Sequence, residues 1–171
     1  VKEPLPETFF LRGTDCWGWA TWGDRWEQFE VDGKKLYRKL KRRNLTYAFN
    51  RDNSYPYSIL LKEQNLGFIS SWAIRWDASM FLKNKLTLYP KKSLVFNTGL
   101  DGSGTHCSSV EGLTEMVWDQ PVYVGGIPVK EHKGAKKIIG RFHKRKLLFP
   151  KILINHLRKR LVNAVKGGGQ Q

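Results

Sequence analysis

A tryptophan-rich segment near the start of the chain is the feature that most constrains its fold. Residues 17–26 contain four tryptophans with glycines between them. Four indoles cannot all face water, so part of this segment must be buried. Trp17, Trp19 and Trp22 do not share one face of a helix, and glycine disfavours regular structure. We therefore predict a compact loop that passes into a helix near Asp24, which suits an N-cap.

Positive charge is concentrated towards the other end of the chain. The 171 residues include 30 Lys and Arg against 15 Asp and Glu. Residues 130–171 hold 13 of these bases and a single acid, Glu131, whereas residues 1–129 are nearly balanced. The larger segment therefore has no uniform field for binding a nucleic-acid backbone. We predict a globular part over residues 1–129 and a basic helical tail over residues 130–171.

Composition excludes several classes of protein. Hydrophobic residues make up 40% of the chain, which is enough to bury a core and argues against disorder of the whole chain. Cys16 and Cys107 are too few for a disulfide scaffold, and they predict two reduced thiols in a reducing compartment. No run of 18 uncharged apolar residues occurs. We expect a cytoplasmic protein, at most peripheral on the inner face of the membrane.

The tail divides at Pro150 into two predicted helices. The first covers residues 133–148, and the second runs from Pro150 to the glycines at 167–169. The second helix is amphipathic, with Leu and Ile on one arc and Lys and Arg around its edges. This pattern fits an anionic membrane surface through residues 150–166. The alternatives are packing of the apolar arc on the domain and contact with RNA or DNA, of which nucleic acid is the least favoured.

Apolar periodicity predicts alternating strands and helices in the globular part. An extended segment over residues 4–11 is followed by helices over 34–43 and 54–63. The clearest unit is a strand over 66–70, a helix over 71–84 and a strand over 86–89, and a further strand is predicted over 93–97. This succession predicts an α/β layer.

A polar glycine-rich loop follows, Gly99-Leu100-Asp101-Gly102-Ser103-Gly104-Thr105-His106-Cys107. Its backbone amides could approach a phosphate closely, although most loops of this composition are turns. The sequence lacks GxxxxGK[ST], GxGxxG, HExxH, CxxC and GxSxG. Their absence disfavours P-loop nucleotide triphosphatases, Rossmann enzymes, zinc proteases and α/β-hydrolases.

Three blocks in order resemble a known family. They are Cys16-Trp17-Gly18-Trp19-Ala20-Thr21-Trp22, Ser71-Trp72-Ala73-Ile74-Arg75-Trp76, and Asp101-Gly102-Ser103-Gly104-Thr105-His106-Cys107. Together they resemble the C-terminal half of bacterial sugar-nucleotide glycosyltransferases with a GT-A fold, similar to family 2. The resemblance covers residues 9–107 and is specific to the family rather than to one substrate.

This resemblance implies a mixed sheet flanked by helices, a divalent metal (Mn²⁺ or Mg²⁺) and a nucleotide-sugar donor. It implies a cell-surface glycan or glycolipid acceptor, bound by the C-terminal half. In that family the donor half carries a D-x-D motif that holds the metal, and no D-x-D occurs in this sequence. We therefore expect the donor half upstream of Val1, and no unaided catalysis by this chain.

The resemblance also assigns roles to the glycine-rich loop. His106 matches the place of a late metal ligand, and a neutral imidazole can complete a metal site otherwise made of oxygens. Gly102, Ser103, Gly104 and Thr105 are expected to line the cofactor side of the loop, and Asp101 to help fix it. The alternative for His106 is a loop residue bonded to backbone.

Sugar transfer with inversion needs a carboxylate base for the acceptor hydroxyl. Relatives place an acid where this chain has Ala73, so the base is open. Asp77 lies one turn later on the same helix face, and Asp15 stands inside the tryptophan loop. A structural role for both, or a base outside this chain, is the alternative.

The tryptophan loop suits an acceptor wall, because indole faces stack on the apolar faces of sugar rings. Trp19 and Trp22 are the first candidates to face the site, and the alternative is a buried aromatic cluster. Arg12 and Arg75 could bind a diphosphate or an acidic acceptor, or form surface ion pairs. The predicted substrate-binding residues are Trp17, Trp19, Trp22, Arg12, Trp72 and Arg75.

Three functions therefore stand open at the level of sequence. The leading one is the acceptor-binding and metal-completing half of a glycosyltransferase. The second is a non-catalytic carbohydrate- or membrane-binding module, which the missing D-x-D favours. The third, a nucleic-acid-binding domain, is disfavoured because the aromatic segment and the basic tail are separate rather than interleaved.

Overall fold

A computed structural model describes residues 5–96, 117–145 and Ile154. Within these residues the chain is mixed α/β, with six helices and one two-stranded sheet. The strands are β1 (Thr8–Leu11) and β2 (Thr87–Pro90). They pair antiparallel, with Phe9 opposite Tyr89. The described sheet is therefore smaller than the mixed sheet that the resemblance implies.

Five helices lie between the two strands, and one follows them. They are α1 (Gly23–Trp26), α2 (Gly33–Arg42), α3 (Thr46–Phe49), α4 (Tyr57–Asn65), α5 (Trp72–Leu82) and α6 (Lys133–Arg145). Side-chain caps explain where two of them begin. Asp32 accepts the N–H of Lys35 at 2.9 Å ahead of α2, and Ser71 accepts the N–H of Ile74 at 3.4 Å ahead of α5.

The main core lies where α2, α4 and α5 pack together. Helix α2 is amphipathic, because its buried residues recur at positions 33, 36 and 40 while its lysines and arginines face water. Helix α5 is apolar on most sides and sits between the other elements. The buried cluster consists of Leu36, Leu40, Phe49, Leu61, Ile74, Ala78 and Phe81.

Several sequence predictions are confirmed. Helices α2, α4 and α5 overlap the predicted ranges 34–43, 54–63 and 71–84, and strand β2 overlaps the predicted range 86–89. The helix near Asp24 is present, but Trp22 occupies its N-cap and Asp24 lies in its first turn. The helix predicted over 133–148 is present over the part that the structure describes, as α6.

The predicted strand over residues 66–70 is wrong. Leu66 ends α4, and Gly67 follows in the left-handed region with φ +76°. The N–H of Phe68 then donates to the carbonyl of Glu63 at 2.9 Å, which closes the end of the helix. The short apolar run therefore forms the C-terminal cap of α4 instead of a strand. Residues 93–96 of the other predicted strand are also irregular.

The predicted strand–helix–strand layer is therefore wrong as well. Strand β2 pairs with β1 from the beginning of the chain, so the sheet joins two segments far apart in sequence. On the other side of β1, Phe10 forms a parallel bridge with Glu131, and its carbonyl accepts the N–H of His132 at 2.8 Å. The apolar pattern of the sequence alone does not reveal which segments pair in the sheet.

Helix α6 packs on β1 directly after this bridge. Ala135 is buried, and the Nδ1 of His132 accepts the N–H of Ala135 at 3.0 Å, as an N-terminal cap would. The amphipathic helix predicted over residues 150–166 lies outside the described residues, apart from helical Ile154. None of the described helices has the length and apolar character needed to cross a bilayer.

Helix α3 offers a matched test of the core. Phe49 is buried against Phe81, with ring centroids 5.3 Å apart, whereas Tyr47 two residues earlier is 58% exposed. We expect Phe49→Ala to lower the free energy of unfolding by about 3–5 kcal/mol, because it leaves a cavity. Tyr47→Ala should change it by less than about 0.5 kcal/mol. Urea unfolding followed by far-UV circular dichroism measures both, and equal losses would contradict this core.

Candidate functional site

A buried ion pair lies between α5 and the turn after α3. One nitrogen of the Arg51 guanidinium, Nη2, lies 2.9 Å from each carboxylate oxygen of Asp77. The Asp77 carboxylate is almost fully buried, and the Arg51 side chain nearly so. Burial lowers the pKa of the Arg51 guanidinium, but the charge of Asp77 and its hydrogen bonds more than offset this, so the pKa stays raised. The Arg51 guanidinium therefore keeps its charge.

The same carboxylate holds the loop that leads into the tryptophan segment. The N–H of Thr14 donates to Asp77 Oδ1 at 2.9 Å. Gly13, just before it, has φ +146°, and a Cβ built on it would lie 2.0 Å from Arg51 Nη2. Only glycine lets the backbone pass this close to the guanidinium. Loop, arginine and aspartate are therefore packed as one unit.

Arg51 begins a strained turn. Arg51, Asp52 and Asn53 all have left-handed backbone angles, with φ between 52° and 56°. Such a conformation costs about 1–2 kcal/mol for each residue with a side chain. Contacts on both sides hold it in place, since Arg51 stacks on the ring of Tyr57 and Asp52 pairs with Lys136 of α6 at 2.8 Å. Strain of this kind is often found at functional sites.

A cavity of about 120 Å³ opens beside the ion pair. The loop from Leu11 to Asp15 forms one wall, and α6 forms another. The remaining lining residues are Arg51, Tyr57, Tyr89 and Glu131, and α6 contributes Lys136, Ile139 and His143. The cavity thus combines cations, carboxylates and two tyrosines.

Both tyrosines are neutral, and the hydroxyl of Tyr89 is a structural donor. Burial raises the pKa of Tyr57 and of Tyr89 well above the usual value, and nearby carboxylates raise that of Tyr89 further. The Tyr89 hydroxyl donates to the carbonyl of Gly13 at 3.1 Å. This bond ties β2 to the loop that carries Asp15.

Asp15 and Asp77, the two predicted bases, stand in different settings. The carboxylate of Asp77 accepts hydrogen bonds from Arg51 and Thr14. This arrangement disfavours Asp77 as a base, and that role stays a prediction. Asp15 is exposed and lines the cavity. Its Oδ1 accepts the N–H groups of Cys16 at 2.7 Å and of Trp17 at 3.2 Å. Its Oδ2 makes no hydrogen bond within the described residues.

Cys16 is a free, half-buried thiol beside this carboxylate. Burial raises its pKa, and the negative charge of Asp15 raises it further. The thiol therefore stays protonated and unreactive. Cys107, the other cysteine, lies outside the described residues.

Most tryptophans of the first two blocks form one aromatic cluster. Trp19 lies 5.4 Å from Trp72 and 5.7 Å from Trp76, measured between ring centroids. Trp26 joins them, at 5.2 Å from Trp76. Trp76 is buried, whereas Trp72 and Trp26 keep an exposed edge. Trp19, which was predicted to belong to the acceptor wall, therefore packs inside the aromatic cluster, and Trp72 lies at the rim of that cluster.

Two indoles of the loop remain available to a ligand. Trp22 is 77% exposed and Trp17 is 52% exposed. Gly18 between them has φ +57° and packs so closely on Val95 that a Cβ would overlap it. The contact of Gly18 with Val95 therefore holds the loop in place, while the rings of Trp17 and Trp22 face solvent.

The two predicted arginines are placed apart. Arg12 lines the cavity, donates to the carbonyl of Phe81 at 3.2 Å and stacks on the ring of Phe81. Its Nε is buried without a partner. Arg75 instead donates to the carbonyl of Val31 at 3.1 Å, close to Phe29 rather than in the cavity wall. A role for Arg75 in binding substrate stays a prediction.

The glycine-rich loop lies outside the described residues, and with it the predicted cofactor and metal residues Gly102, Ser103, Gly104, Thr105 and His106. Among the residues that the structure does describe, no group of three or more His, Cys, Asp or Glu could hold a metal ion. The described part of the chain therefore supplies no metal site by itself.

The sequence interpretation missed several residues of this site. Arg51, Tyr57, Tyr89 and His143 come from four separate segments and belong to no motif. The run Asn50-Arg51-Asp52-Asn53 does signal a turn, because Asn and Asp tolerate left-handed angles. Nothing in that signal indicates that Arg51 points to a buried carboxylate.

The close approach at Gly13 makes a sharp prediction. Gly13→Ala should displace the guanidinium from Asp77 and lower the free energy of unfolding by about 3 kcal/mol or more, the scale of a broken buried ion pair. Gly67→Ala is the control, since Gly67 also has a positive φ but has open space around its Cβ. We expect it to cost only about 1–2 kcal/mol. Chemical unfolding of both variants decides, and similar losses would contradict the packing at Gly13.

His143 predicts a dependence of stability on pH. Burial lowers the pKa of its imidazole below the usual 6.5, and the charge of Arg51 lowers it further. The unfolded chain therefore takes up a proton below about pH 6.5 that the folded protein resists, so stability falls as pH falls. The slope should stay below the roughly 1.4 kcal/mol per pH unit of one full proton, because the ring is partly exposed.

Urea midpoints of the wild type and of His143→Gln, measured between pH 5 and 8, test this expectation. The difference between the two proteins isolates His143 from the other histidines. The urea midpoint of the wild type should fall relative to that of the variant as the pH is lowered, because only the wild type loses stability through this ring. A constant difference across the range would contradict it.

Comparison with known proteins gives no relative of this chain, since no family model, no curated protein and no solved structure matches it. Function must therefore be inferred from the residues and their arrangement.

Proposed function

We propose that this chain is the acceptor-binding half of a nucleotide-sugar-dependent glycosyltransferase. It would bind a cell-surface glycan or glycolipid on the cytoplasmic side of the membrane. The donor half, with the carboxylates that hold the metal and diphosphate, would lie upstream in the same protein. The fold proposed for the whole is GT-A-like, and the described two-stranded sheet would be one part of it.

One observation carries the proposal: the first two resemblance blocks fold against each other. Trp19 of the first block packs on Trp72 and Trp76 of the second. Thr14, just ahead of the first block, bonds to Asp77, just after the second. Segments more than 50 residues apart thus form one structure, as a shared site requires. The cavity is lined by the residues directly ahead of the first block, up to Asp15.

Asp15 is the base in this proposal. Two backbone N–H groups hold its Oδ1, which fixes the orientation of the carboxylate, and Asp15 lines the cavity. An acceptor hydroxyl bound there would give its proton to Oδ2 as its oxygen attacks the anomeric carbon of the donor and the bond from that carbon to the nucleoside diphosphate breaks. Asp77 is a positioning residue, because it acts only through Thr14 and Arg51.

The cavity suits a polyhydroxylated ligand. Its lining offers donors on Arg12, Lys136 and Tyr57 and acceptors on Asp15 and Glu131. Opposite charges largely balance, since Arg51 is paired with Asp77 and Lys136 with Asp52. A neutral sugar ring can use both kinds of partner, whereas a strongly charged ligand would meet an equal charge of its own sign. Trp17 and Trp22 would stack on sugar units outside the cavity.

In this proposal the metal ion binds outside the residues that the structure describes. When bound, Mn²⁺ or Mg²⁺ would stabilise the departing nucleoside diphosphate. The described residues do not fit a metal site, so no step on this half is assigned to the ion. His106 and residues 102–105 remain the proposed contribution of this chain to that site.

A non-catalytic carbohydrate-binding module is the second candidate. The absence of a D-x-D motif from the sequence favours it. Both proposals predict saccharide binding at the tryptophan loop, but only the enzyme needs Asp15 for turnover.

Two substitutions separate these functions in the natural protein that carries this chain. Asp15→Asn should lower transfer from a nucleotide sugar in the presence of Mn²⁺ by about 10²–10⁴-fold and leave saccharide affinity nearly unchanged. Trp22→Ala should weaken saccharide binding, with transfer restored at high acceptor concentration. Tyr47→Ala, another exposed aromatic, is the control and should change neither. Transfer is followed by release of nucleoside diphosphate, and binding by tryptophan fluorescence.

The outcomes are distinct. Full transfer by Asp15→Asn would remove the base from this loop. Saccharide binding without any transfer by the wild type would favour the binding module. Efficient transfer by residues 1–171 alone would show that the donor site lies within this chain. Unchanged saccharide binding by Trp22→Ala would exclude the exposed indole as a platform.

A further inference from the structure

Helix α6 presents three different strips along its length. The first strip packs on the protein: Ala135 is buried, Ile139 lines the cavity, and the ring of His143 lies 5.1 Å from that of Tyr55. These residues are one turn apart, so they lie on one side of the helix. Lys136, which pairs with Asp52 and Glu131, lies next to this side.

The second strip is apolar and exposed. Ile138 is 40% exposed and Phe142 is 47% exposed. They are also one turn apart, and they lie beside the packed strip rather than on it. Large apolar side chains side by side on a helix surface indicate a binding surface more often than isolated ones do.

The third strip is cationic. Six of the 13 residues of α6 are Lys or Arg, and none is acidic. Lys136 uses its charge internally, on Asp52 and Glu131. By contrast, Lys133, Lys137, Arg141 and Lys144 are exposed, and no salt bridge joins them to another described residue. This strip therefore carries four unneutralised charges next to the exposed Ile138 and Phe142.

We propose that the exposed side of α6 binds an anionic lipid surface. Ile138 and Phe142 would enter the boundary between head groups and acyl chains, while Lys137, Arg141 and the neighbouring lysines bind the lipid phosphates. Charge complementarity identifies the occupant, since the cations form no salt bridge with any residue that the structure describes. A nucleic-acid backbone would neutralise the same cations but leave Ile138 and Phe142 in water.

This surface is independent of the sugar-transfer proposal and is distinct from the helix predicted over residues 150–166. Its residues are described, and its orientation is fixed by the contacts of Ala135 and His143. The lipid would lie on the side of α6 opposite the cavity.

The test is binding of the full chain to vesicles of phosphatidylcholine and phosphatidylglycerol in equal parts, measured by flotation. We expect binding at least tenfold stronger than to phosphatidylcholine alone. Ile138→Ser with Phe142→Ser should weaken binding to the mixed vesicles about tenfold, and Lys137→Gln with Arg141→Gln by a similar factor. The matched control is Tyr47→Ser with Leu66→Ser, an exposed aromatic and an exposed aliphatic residue elsewhere, which should change binding less than twofold.

Circular dichroism of each variant confirms that α6 remains helical. Equal binding by the Ile138/Phe142 variant and the wild type would overturn the proposal and leave lipid contact to the tail. Absence of binding to mixed vesicles would also overturn it. Tight binding to single-stranded RNA that loses affinity on the charge substitutions but not on the apolar ones would assign the surface to nucleic acid. The assay contains neither sugar nor nucleotide, so its failure leaves the proposed function untouched.

Discussion

The Arg51–Asp77 ion pair is the interaction on which the arrangement of the candidate site depends. It joins α5 to the left-handed turn after α3, and through Thr14 it fastens the loop that carries Asp15. Burying two charges is costly, and the cost is offset only when every oxygen and nitrogen has a good partner. Here both carboxylate oxygens are bonded, and the guanidinium also stacks on Tyr57. A pair of this kind stabilises one conformation more than it stabilises the fold as a whole.

This pair also explains why two aspartates from the same neighbourhood differ in chemistry. Asp77 is withdrawn from water and fully engaged, so it can only position other groups. Asp15 directly follows the anchored Thr14 and is exposed; one of its oxygens accepts two N–H groups, and the other makes no hydrogen bond with the described residues. The sequence could name both residues as acids near the predicted site. It could not rank them, because ranking depends on where Arg51 lies, and Arg51 is far from both in sequence.

Features that depend on local sequence could be predicted, whereas features that depend on contacts between distant segments could not. Helices α2 and α5 were predictable because caps at Asp32 and Ser71 and a periodic apolar pattern agree locally. The strand expected at residues 66–70 failed because a short apolar run can serve equally as a helix end, and Gly67 decided the outcome. The pairing of β1 with β2 and the contact of β1 with Glu131 are long-range choices that no local pattern contains. The number of tryptophans predicted that part of their segment is buried, but the sequence named Trp19 with Trp22 as the first to face the site. Trp19 packs on Trp72 and Trp76 while Trp22 is exposed, and this difference depends on the position of α5.

Gly13 and Arg51 impose a constraint on how this protein can change over time. The guanidinium occupies the space where a side chain at position 13 would stand, so each residue limits which neighbours the other will accept. Replacement of Gly13 requires a smaller residue at position 51 and a change of its own backbone angle from φ +146°, and loss of Arg51 in turn leaves the buried Asp77 without its partner. The three positions are therefore expected to vary together among descendants of this sequence or to be retained together. Single-step paths that alter one of them alone pass through a destabilised intermediate.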